Sequence, residues 1–428
     1  MSRRNLLAAV LIAPLLLLVT LSFLVPLGAT LYRAVDDSEF STTLPRTTAL
    51  LRAWDGKDLP PDEAFAAIVE ELRAAQQNQE AGAVLSRLNF EETGLRSLLL
   101  QAARASARLA PPIKGGLIAL NPRWGEPELW RMFKRATGPW TSLYLLRSLD
   151  MRPTDKGIVH AGAEDAVFLP LFWRTFEISL IVTVICALLA YPVAYTLSIL
   201  PQGWANAGMM LVLIPFWTSI LVRTTAWFII LQREGPINAL LMAFDIVNQP
   251  LTMIFTRFAV YLAMVHVLLP FAILPLYGVM KGIKPDYMRA AASLGAPGWR
   301  RFLRIYLPLT MPGVAAGSLM VFMLSVGFYI TPALVGGSGD QMVSYFIAFF
   351  TNTSVNWGMA AALATQLMAM TALLVIVARL IVPDDALVGQ VERLLQPAPG
   401  VIAAIPNPLL TDAEIVALSA SRADLSQR

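Results

Sequence analysis

One stretch decides the architecture of this chain: residues 285–308, PDYMRAAASLGAPGWRRFLRIYLP, a polar and basic segment between long apolar runs. Asp286 is a good cap for a first helix, and Gly295 suits a helix stop with positive φ. Pro297 suits the first turn of a second helix, which Pro308 separates from the next apolar run. The segment therefore predicts two short helices joined by a tight turn.

The two predicted helices have different surfaces. The first is rich in small residues, since Ala290, Ala291 and Ala292 follow one another, and small residues let another surface approach closely. The second has one apolar stripe with arginines beside it; the stripe consists of Trp299, Phe302, Leu303 and Tyr306. A basic amphipathic helix in the lipid headgroups would explain the second helix alone. Docking into a groove of another protein explains both helices, and we favour it.

The composition predicts a membrane protein. Of 428 residues, 56% are apolar and 14% are charged, whereas a soluble domain carries about 25% charge. The net charge of +4 fits membrane topology better than nucleic-acid binding, because no basic cluster is interleaved with aromatic residues on a soluble domain. One cysteine, Cys186, and two histidines, His160 and His266, offer no internal disulfide and no metal site.

Residues 1–35 predict the first transmembrane helix. Leu6–Leu31 is almost wholly apolar and long enough to cross a bilayer, which takes about 20 residues. A cleaved signal peptide is the alternative, but its apolar core would be shorter and would end at a small-residue cleavage site. We therefore expect an uncleaved span whose start Arg3 and Arg4 keep in the cytoplasm.

Residues 36–168 predict a mostly helical periplasmic insertion. Pro61-Asp62-Glu63 is typical of a helix start. Apolar residues then recur at helical spacing in two pieces: Phe65, Ile68, Val69 and Leu72, followed by Leu95, Leu98, Leu99 and Ala102. Trp124, Trp130, Phe133 and Trp140 indicate a small core or a membrane-facing edge. The insertion has no catalytic motif, so we predict that the chain is not an enzyme.

Residues 169–382 predict the core of the protein, with five more transmembrane helices, and residues 383–428 predict a weakly ordered cytoplasmic tail. The five apolar runs are 169–200, 207–231, 255–280, 312–334 and 359–381. Six spans with a cytoplasmic start place both termini and residues 285–308 inside. The distribution of charge agrees with this topology: residues 281–308 are basic, as expected of a short cytoplasmic loop, while residues 335–356 contain no Lys or Arg.

Residues 285–308 resemble the cytoplasmic EAA loop of permease subunits of bacterial ABC importers. The family pattern is Glu-Ala-Ala, three residues, Gly, nine residues, Ile, one residue and Leu-Pro. Matching positions are Ala290, Ala291, Gly295, Ile305, Leu307 and Pro308, while Arg289 stands where the family has Glu. The departure puts a salt bridge from that Glu in doubt but leaves the docking helix intact.

Further stretches are similar to the spermidine/putrescine branch of that family. They are residues 215–219, 221–224, 256–260, 269–277 and 331–334. The resemblance covers about 170–382 and the first span. It implies an all-α membrane protein with six transmembrane helices and the type I ABC-importer permease core.

The resemblance also implies a set of partners: a second permease subunit, two copies of a cytoplasmic ATPase and a periplasmic substrate-binding protein. It implies that the seven positions Arg289, Ala290, Ala291, Gly295, Ile305, Leu307 and Pro308 couple the chain to the ATPase. The chain contains no GxxxxGK[ST] phosphate loop, so we expect ATP to be bound by the partner and no cofactor in this chain.

The predicted cargo is a polyamine, mainly because of the branch. A path for a multivalent cation should present acidic or aromatic groups. Glu177, Trp217, Trp227 and Tyr329 are the candidates, although Glu177 could serve helix packing and the aromatic residues could face lipid. Opines, other small amines and aminophosphonates stay open as cargo. A secondary transporter or a membrane enzyme is the less favoured alternative, because neither internal repeats nor a cluster of reactive groups is present.

Overall fold

The computed structural model describes residues 12–106, 112–154, 157–162 and 166–381. The predictions for Arg3, Arg4 and the tail from 383 onward lie outside these residues. The described chain is divided between two compact units. One contains residues up to Lys281 together with Gly313–Leu373, and the other contains Gly282–Pro312 and the residues from Leu374 onward.

The predicted all-α membrane fold is confirmed. Five helices are long and apolar enough to cross a bilayer, and a bent pair of helices makes a sixth span if counted as one. The five are Ile12–Arg33, Phe168–Ile199, Arg257–Gly282, Gly298–Val326 and a last helix that begins at Trp357. In the last case the helix continues to Ile381.

The bent pair replaces the continuous helix expected over residues 207–231. It consists of Gln202–Trp217 and Ile220–Ile230, whose axes meet at 93°. Pro215 lies in the final 3₁₀ turn of the first part, and Ser219 caps the second part by accepting a hydrogen bond from the Leu221 amide. A proline followed by a good N-cap residue ends one helix and starts another, so the apolar run bends.

The next difference concerns the run expected over residues 312–334. The span ends at Val326, and Ile330–Val335 forms a separate short helix. The break falls at Gly327-Phe328-Tyr329, where glycine lowers the helix propensity. After it come a 3₁₀ turn, Ser338–Asp340, and a helix, Val343–Asn352, in the region expected as a plain loop.

The insertion folds as a compact helical body with one hairpin. Its α-helices are Ser38–Thr43, Pro45–Ala53, Asp62–Gln77, Ala81–Glu91, Leu95–Ala105, Ile113–Leu120, Pro127–Arg135 and Leu143–Arg147. The hairpin pairs Met151–Thr154 with Gly157–His160, antiparallel, and the sequence reasoning did not predict it. The two apolar stripes predicted from helical spacing are buried in its core together with Trp124, Trp130 and Phe133, whereas Trp140 is exposed.

A buried ion pair also holds the insertion together. Arg87 donates two hydrogen bonds to the carboxylate of Asp37, Nε to Oδ1 at 2.6 Å and Nη2 to Oδ2 at 2.7 Å. Burial would lower the pKa of Arg87, but the hydrogen bonds and charge of Asp37, with Glu91, raise it overall. The guanidinium is therefore charged, and its bidentate geometry fixes the helix Ala81–Glu91 against the start of the helix Ser38–Thr43, which Asp37 precedes.

The insertion is joined to the span helices by specific contacts. The carboxylate of Asp150 accepts hydrogen bonds from the amides of Val167, Phe168 and Leu169, which satisfies the start of the helix Phe168–Ile199. Tyr144 packs against Gly358 so closely that a Cβ at that glycine would collide with the ring. The last part of the insertion therefore packs directly against the starts of the span helices that begin at Phe168 and Trp357.

Candidate functional site

The segment 285–308, named the coupling segment below, begins with the predicted small-residue helix. The helix is Asp286–Ser293, so Asp286 lies in its first turn and Pro285 takes the cap position predicted for Asp286. Gly295 has φ +80°, the left-handed conformation expected of a glycine helix stop. Ala290 and Ala292 are exposed and Ala291 is buried. The helix thus presents part of its small-residue surface to solvent.

The second half of the coupling segment differs from the prediction. Gly298–Arg301 is α-helical, Phe302–Tyr306 forms a π-helical turn, and the α-helix resumes at Leu307. Pro308 therefore does not separate two helices: at the start of the resumed α-helix its missing amide is tolerated after the π turn. The π turn also breaks the expected stripe, because Tyr306 is buried while Trp299 and Leu303 are exposed.

Exposed apolar side chains mark the turn of the coupling segment. Leu294 is 88% exposed, and Trp299 and Leu303 are also exposed. Ile305, Leu307 and Pro308 are half-buried. Arg301 donates a hydrogen bond from Nη1 to the Met288 carbonyl at 3.5 Å, which links the two halves. The turn therefore offers a preformed apolar surface.

Arg289, where the family has Glu, pairs within its own helix. Its Nη1 lies 3.6 Å from Oδ1 of Asp286, and both side chains are exposed. An exposed pair of this kind contributes at most about 1 kcal/mol to stability. Arg289 is thus available to a partner at little cost.

Of the four candidate path residues, Glu177 lies in an ion-pair network. Oε1 of Glu177 lies 3.1 Å from Nη1 of Arg257, whose Nε lies 3.0 Å from Oδ1 of Asp340. Arg174 donates a hydrogen bond to the Gly339 carbonyl at 2.8 Å. Sequence reasoning missed Arg257 and Asp340 as partners. An arginine at the start of a span was the available signal, because an intramembrane charge requires a counter-charge.

The three aromatic candidates each have a different neighbour. Trp227 donates a hydrogen bond from Nε1 to Nδ1 of His266 at 3.2 Å. The rings of Tyr329 and Tyr345 lie 6.2 Å apart. Trp217 is 89% exposed at the end of the first half of the bent pair. Their role in a path stays a prediction.

The insertion contains a cleft of about 550 Å³. It is lined by charged residues of both signs, among them Glu91, Glu92, Arg123 and Arg135. Glu91 pairs with Arg87 and Arg135, and Glu92 pairs with Arg123. Because these carboxylates already have cationic partners, the cleft is not an acidic trap for a polycation.

Several apolar span helices joined to a polar segment with an exposed apolar turn are the features expected of a multi-pass membrane transport protein. The chain belongs to the family described as the binding-protein-dependent transport system inner membrane component, which matches residues 166–384. The predicted family and its spermidine/putrescine branch are thereby confirmed, and the chain is a multi-pass membrane protein.

Two relatives illustrate the similarity. The spermidine/putrescine transport system permease protein PotB of Haemophilus influenzae is 35% identical over 215 residues, which cover 49% of this chain and 75% of that protein. PotB of Escherichia coli (strain K12) is 31% identical over 213 residues, which cover 50% of this chain and 78% of the relative. Among solved structures, a bacterial alginate ABC transporter in complex with its pentasaccharide-bound periplasmic protein matches with TM-score 0.43 and 16% identity, over 50% of this chain and 78% of that chain.

Proposed function

We propose that this chain is the permease subunit of an ATP-driven importer and that it forms half of the path for a polyamine of the spermidine or putrescine type. The observation that carries the proposal is identity of 30–35% with spermidine/putrescine permeases across about three quarters of their length. Importers of opines, aminophosphonates or other amines, and ATP-independent transporters, have no comparable support among these relatives.

The coupling segment is proposed as the contact with a pair of cytoplasmic ATPase subunits. The geometry supports it in two ways. The positive φ of Gly295 ends the first helix abruptly, and Leu294 beside it is 88% exposed. Exposed apolar side chains rimmed by polar groups are typical of protein interfaces. The ATPase binds ATP, closes, and moves this helix, which transmits the movement to the spans.

The remaining assembly follows from the same proposal. A second permease subunit completes the path, and a periplasmic binding protein delivers the cargo. The chain would lie in the bacterial inner membrane with both termini and the coupling segment in the cytoplasm, and with the insertion in the periplasm. The basic coupling segment supports this orientation, because short cytoplasmic loops carry an excess of Lys and Arg.

Glu177 remains our candidate acidic contact for the cation. Of its two carboxylate oxygens, Oε1 pairs with Arg257, and the side chain is 37% exposed. A partly exposed carboxylate can still accept from a passing ammonium group. The proposed aromatic contacts are Trp227 and Tyr329, whose π faces attract cations. Trp217, the third aromatic candidate, is 89% exposed at the break of the bent pair and is not included among them.

Uptake by the reconstituted complex tests this function. The chain would be co-expressed with its neighbouring permease and ATPase genes, placed in liposomes and supplied with its binding protein. We expect ATP-dependent accumulation of labelled spermidine that excess putrescine reduces and that an opine or an aminophosphonate leaves unchanged. Uptake that persists without ATP, or that is absent for polyamines and present for an opine, would refute the proposal.

A further inference from the structure

We infer that the break in the bent pair, residues 214–222, is the surface covered by the second permease subunit; this inference rests on the proposed function. Thr218 and Ser219 have extended backbone, with ψ of 144° and 143°. The side chains of Phe216, Trp217, Thr218 and Ser219 are exposed. The break is therefore an open, irregular piece of backbone.

The depth of the break argues against lipid as its cover. Gln202–Trp217 contains 12 α-helical and four 3₁₀ residues, so it is about 25 Å long. The hydrocarbon core is about 30 Å thick, so a helix that enters at Pro201 reaches the break while still in the bilayer. Irregular backbone at such depth occurs where protein or a water-filled cavity covers it, not against lipid tails.

The side chains around the break favour protein over water. Ile214, Phe216, Trp217, Leu221 and Val222 are all large, apolar and exposed. Trp217 is the most exposed of them, which suits an anchor residue in a protein interface. A surface with open backbone and large apolar side chains fits a second membrane chain, which offers hydrogen-bond partners and apolar contact together.

Arg223, one turn beyond the break, indicates the chemistry of that partner. Its Nε is buried and has no hydrogen-bond partner within the described part of the chain. A guanidinium cannot lose its charge in a protein, and in a span it needs a counter-charge. The partner surface should therefore carry a carboxylate that meets Arg223.

Photo-crosslinking tests the inference. p-Benzoylphenylalanine at Trp217 in the assembled complex should, on irradiation, give an adduct with the second permease subunit. A matched pair of single-cysteine variants supplies a second readout, with Cys186→Ala as background: Thr218→Cys at the break, and Thr353→Cys in an exposed stretch outside the spans. In one detergent, a permeant maleimide should label Thr218→Cys at least fivefold more slowly in the complex than in the isolated chain. Thr353→Cys should react at the same rate in both.

The outcomes separate this inference from the proposed function. If the second permease co-purifies but Trp217 gives adducts only with lipid, the binding protein or the ATPase, the inference is wrong and the function stands. The same holds if Thr218→Cys reacts equally in the complex and in the isolated chain. If no second permease co-purifies with the chain, the proposed function fails first, and the inference falls with it.

Discussion

Arg257 lies 3.1 Å from Glu177, Nη1 to Oε1, and this pair joins the helices Phe168–Ile199 and Arg257–Gly282. The same guanidinium binds Asp340 through Nε at 3.0 Å. The two acids differ in burial: the side chain of Glu177 is 37% exposed and that of Asp340 is 11% exposed. We therefore propose that Asp340 holds the fold, and Glu177 stays a predicted contact for the cargo.

Glu177→Gln should lower polyamine uptake severalfold at low substrate concentration and leave stability within about 1 kcal/mol, since half-exposed ion pairs contribute little. Asp340→Asn should instead destabilise the chain by about 1.5–3 kcal/mol, because the amide has one accepting oxygen and can keep only one of the two hydrogen bonds that the carboxylate accepts from Arg257 and from the Gly337 amide. Thermal unfolding in detergent and initial uptake rates measure the two effects. Equal uptake by Glu177→Gln and the unmodified protein would remove Glu177 from the path.

Gly317→Ala should destabilise the membrane bundle by about 1–3 kcal/mol. A Cβ at Gly317 would lie 2.8 Å from the carbonyl oxygen of Ala272 on the neighbouring helix, and backbone cannot move aside cheaply. Gly278→Ala is the matched control, because nothing lies within 4 Å of the added carbon. Thermal unfolding of both variants decides the matter, and similar midpoints would mean that the close helix contact is absent.

Asp150→Ala should loosen the start of the helix Phe168–Ile199, because the carboxylate accepts hydrogen bonds from three backbone amides there that have no partner within the helix. Loss of a helix cap costs about 0.5–2 kcal/mol. Hydrogen exchange should become faster at Val167, Phe168 and Leu169. Asp245→Ala is the control, since Asp245 is exposed and also has positive φ, +53°. Unchanged exchange at the three amides would contradict the capping role.

Arg87→Gln should destabilise the insertion by about 3–5 kcal/mol, because it leaves the buried carboxylate of Asp37 without its partner. Arg46→Gln removes an exposed pair with Glu70 and should change stability by less than about 1 kcal/mol. Limited proteolysis of the full chain, followed by the rate of cleavage within residues 36–168, measures the effect of both substitutions. Equal protease resistance of the two variants would contradict a structural role for the Arg87–Asp37 pair.

Local pattern in the sequence was sufficient for several features. Helical spacing predicted the buried stripes around Phe65 and Leu95, and turn chemistry predicted the positive φ of Gly295. These features depend on residues within a few positions of one another. Hydropathy likewise located the spans, because about 20 apolar residues in a row have few other uses.

Features that depend on distant contacts could not be predicted in the same way. Arg257 meets Glu177 and Asp340 across 80 and 83 positions of sequence. The π turn at Phe302–Tyr306 has no local signature, and it changed which face of the second helix is exposed. The bend of 93° was overlooked because hydropathy does not register direction, although Pro215 and Ser219 were visible in the sequence.

The central claim is that the coupling segment docks on the ATPase, and Leu294→Gln tests this claim most directly. The substitution replaces an apolar side chain that is 88% exposed with a polar one of similar size, so the backbone conformation of the turn should not change. Val355→Gln is the control, because Val355 is also exposed and apolar but lies in the stretch between Val343–Asn352 and the last span.

Each variant would be co-purified with the neighbouring ATPase, and cargo-stimulated ATP hydrolysis would be measured in liposomes with the binding protein. We predict that Leu294→Gln co-purifies with little ATPase subunit and loses the stimulation of ATP hydrolysis by cargo. Val355→Gln should keep both the bound ATPase and the stimulation. If Leu294→Gln retains the ATPase and full stimulation, the coupling segment is not the docking surface.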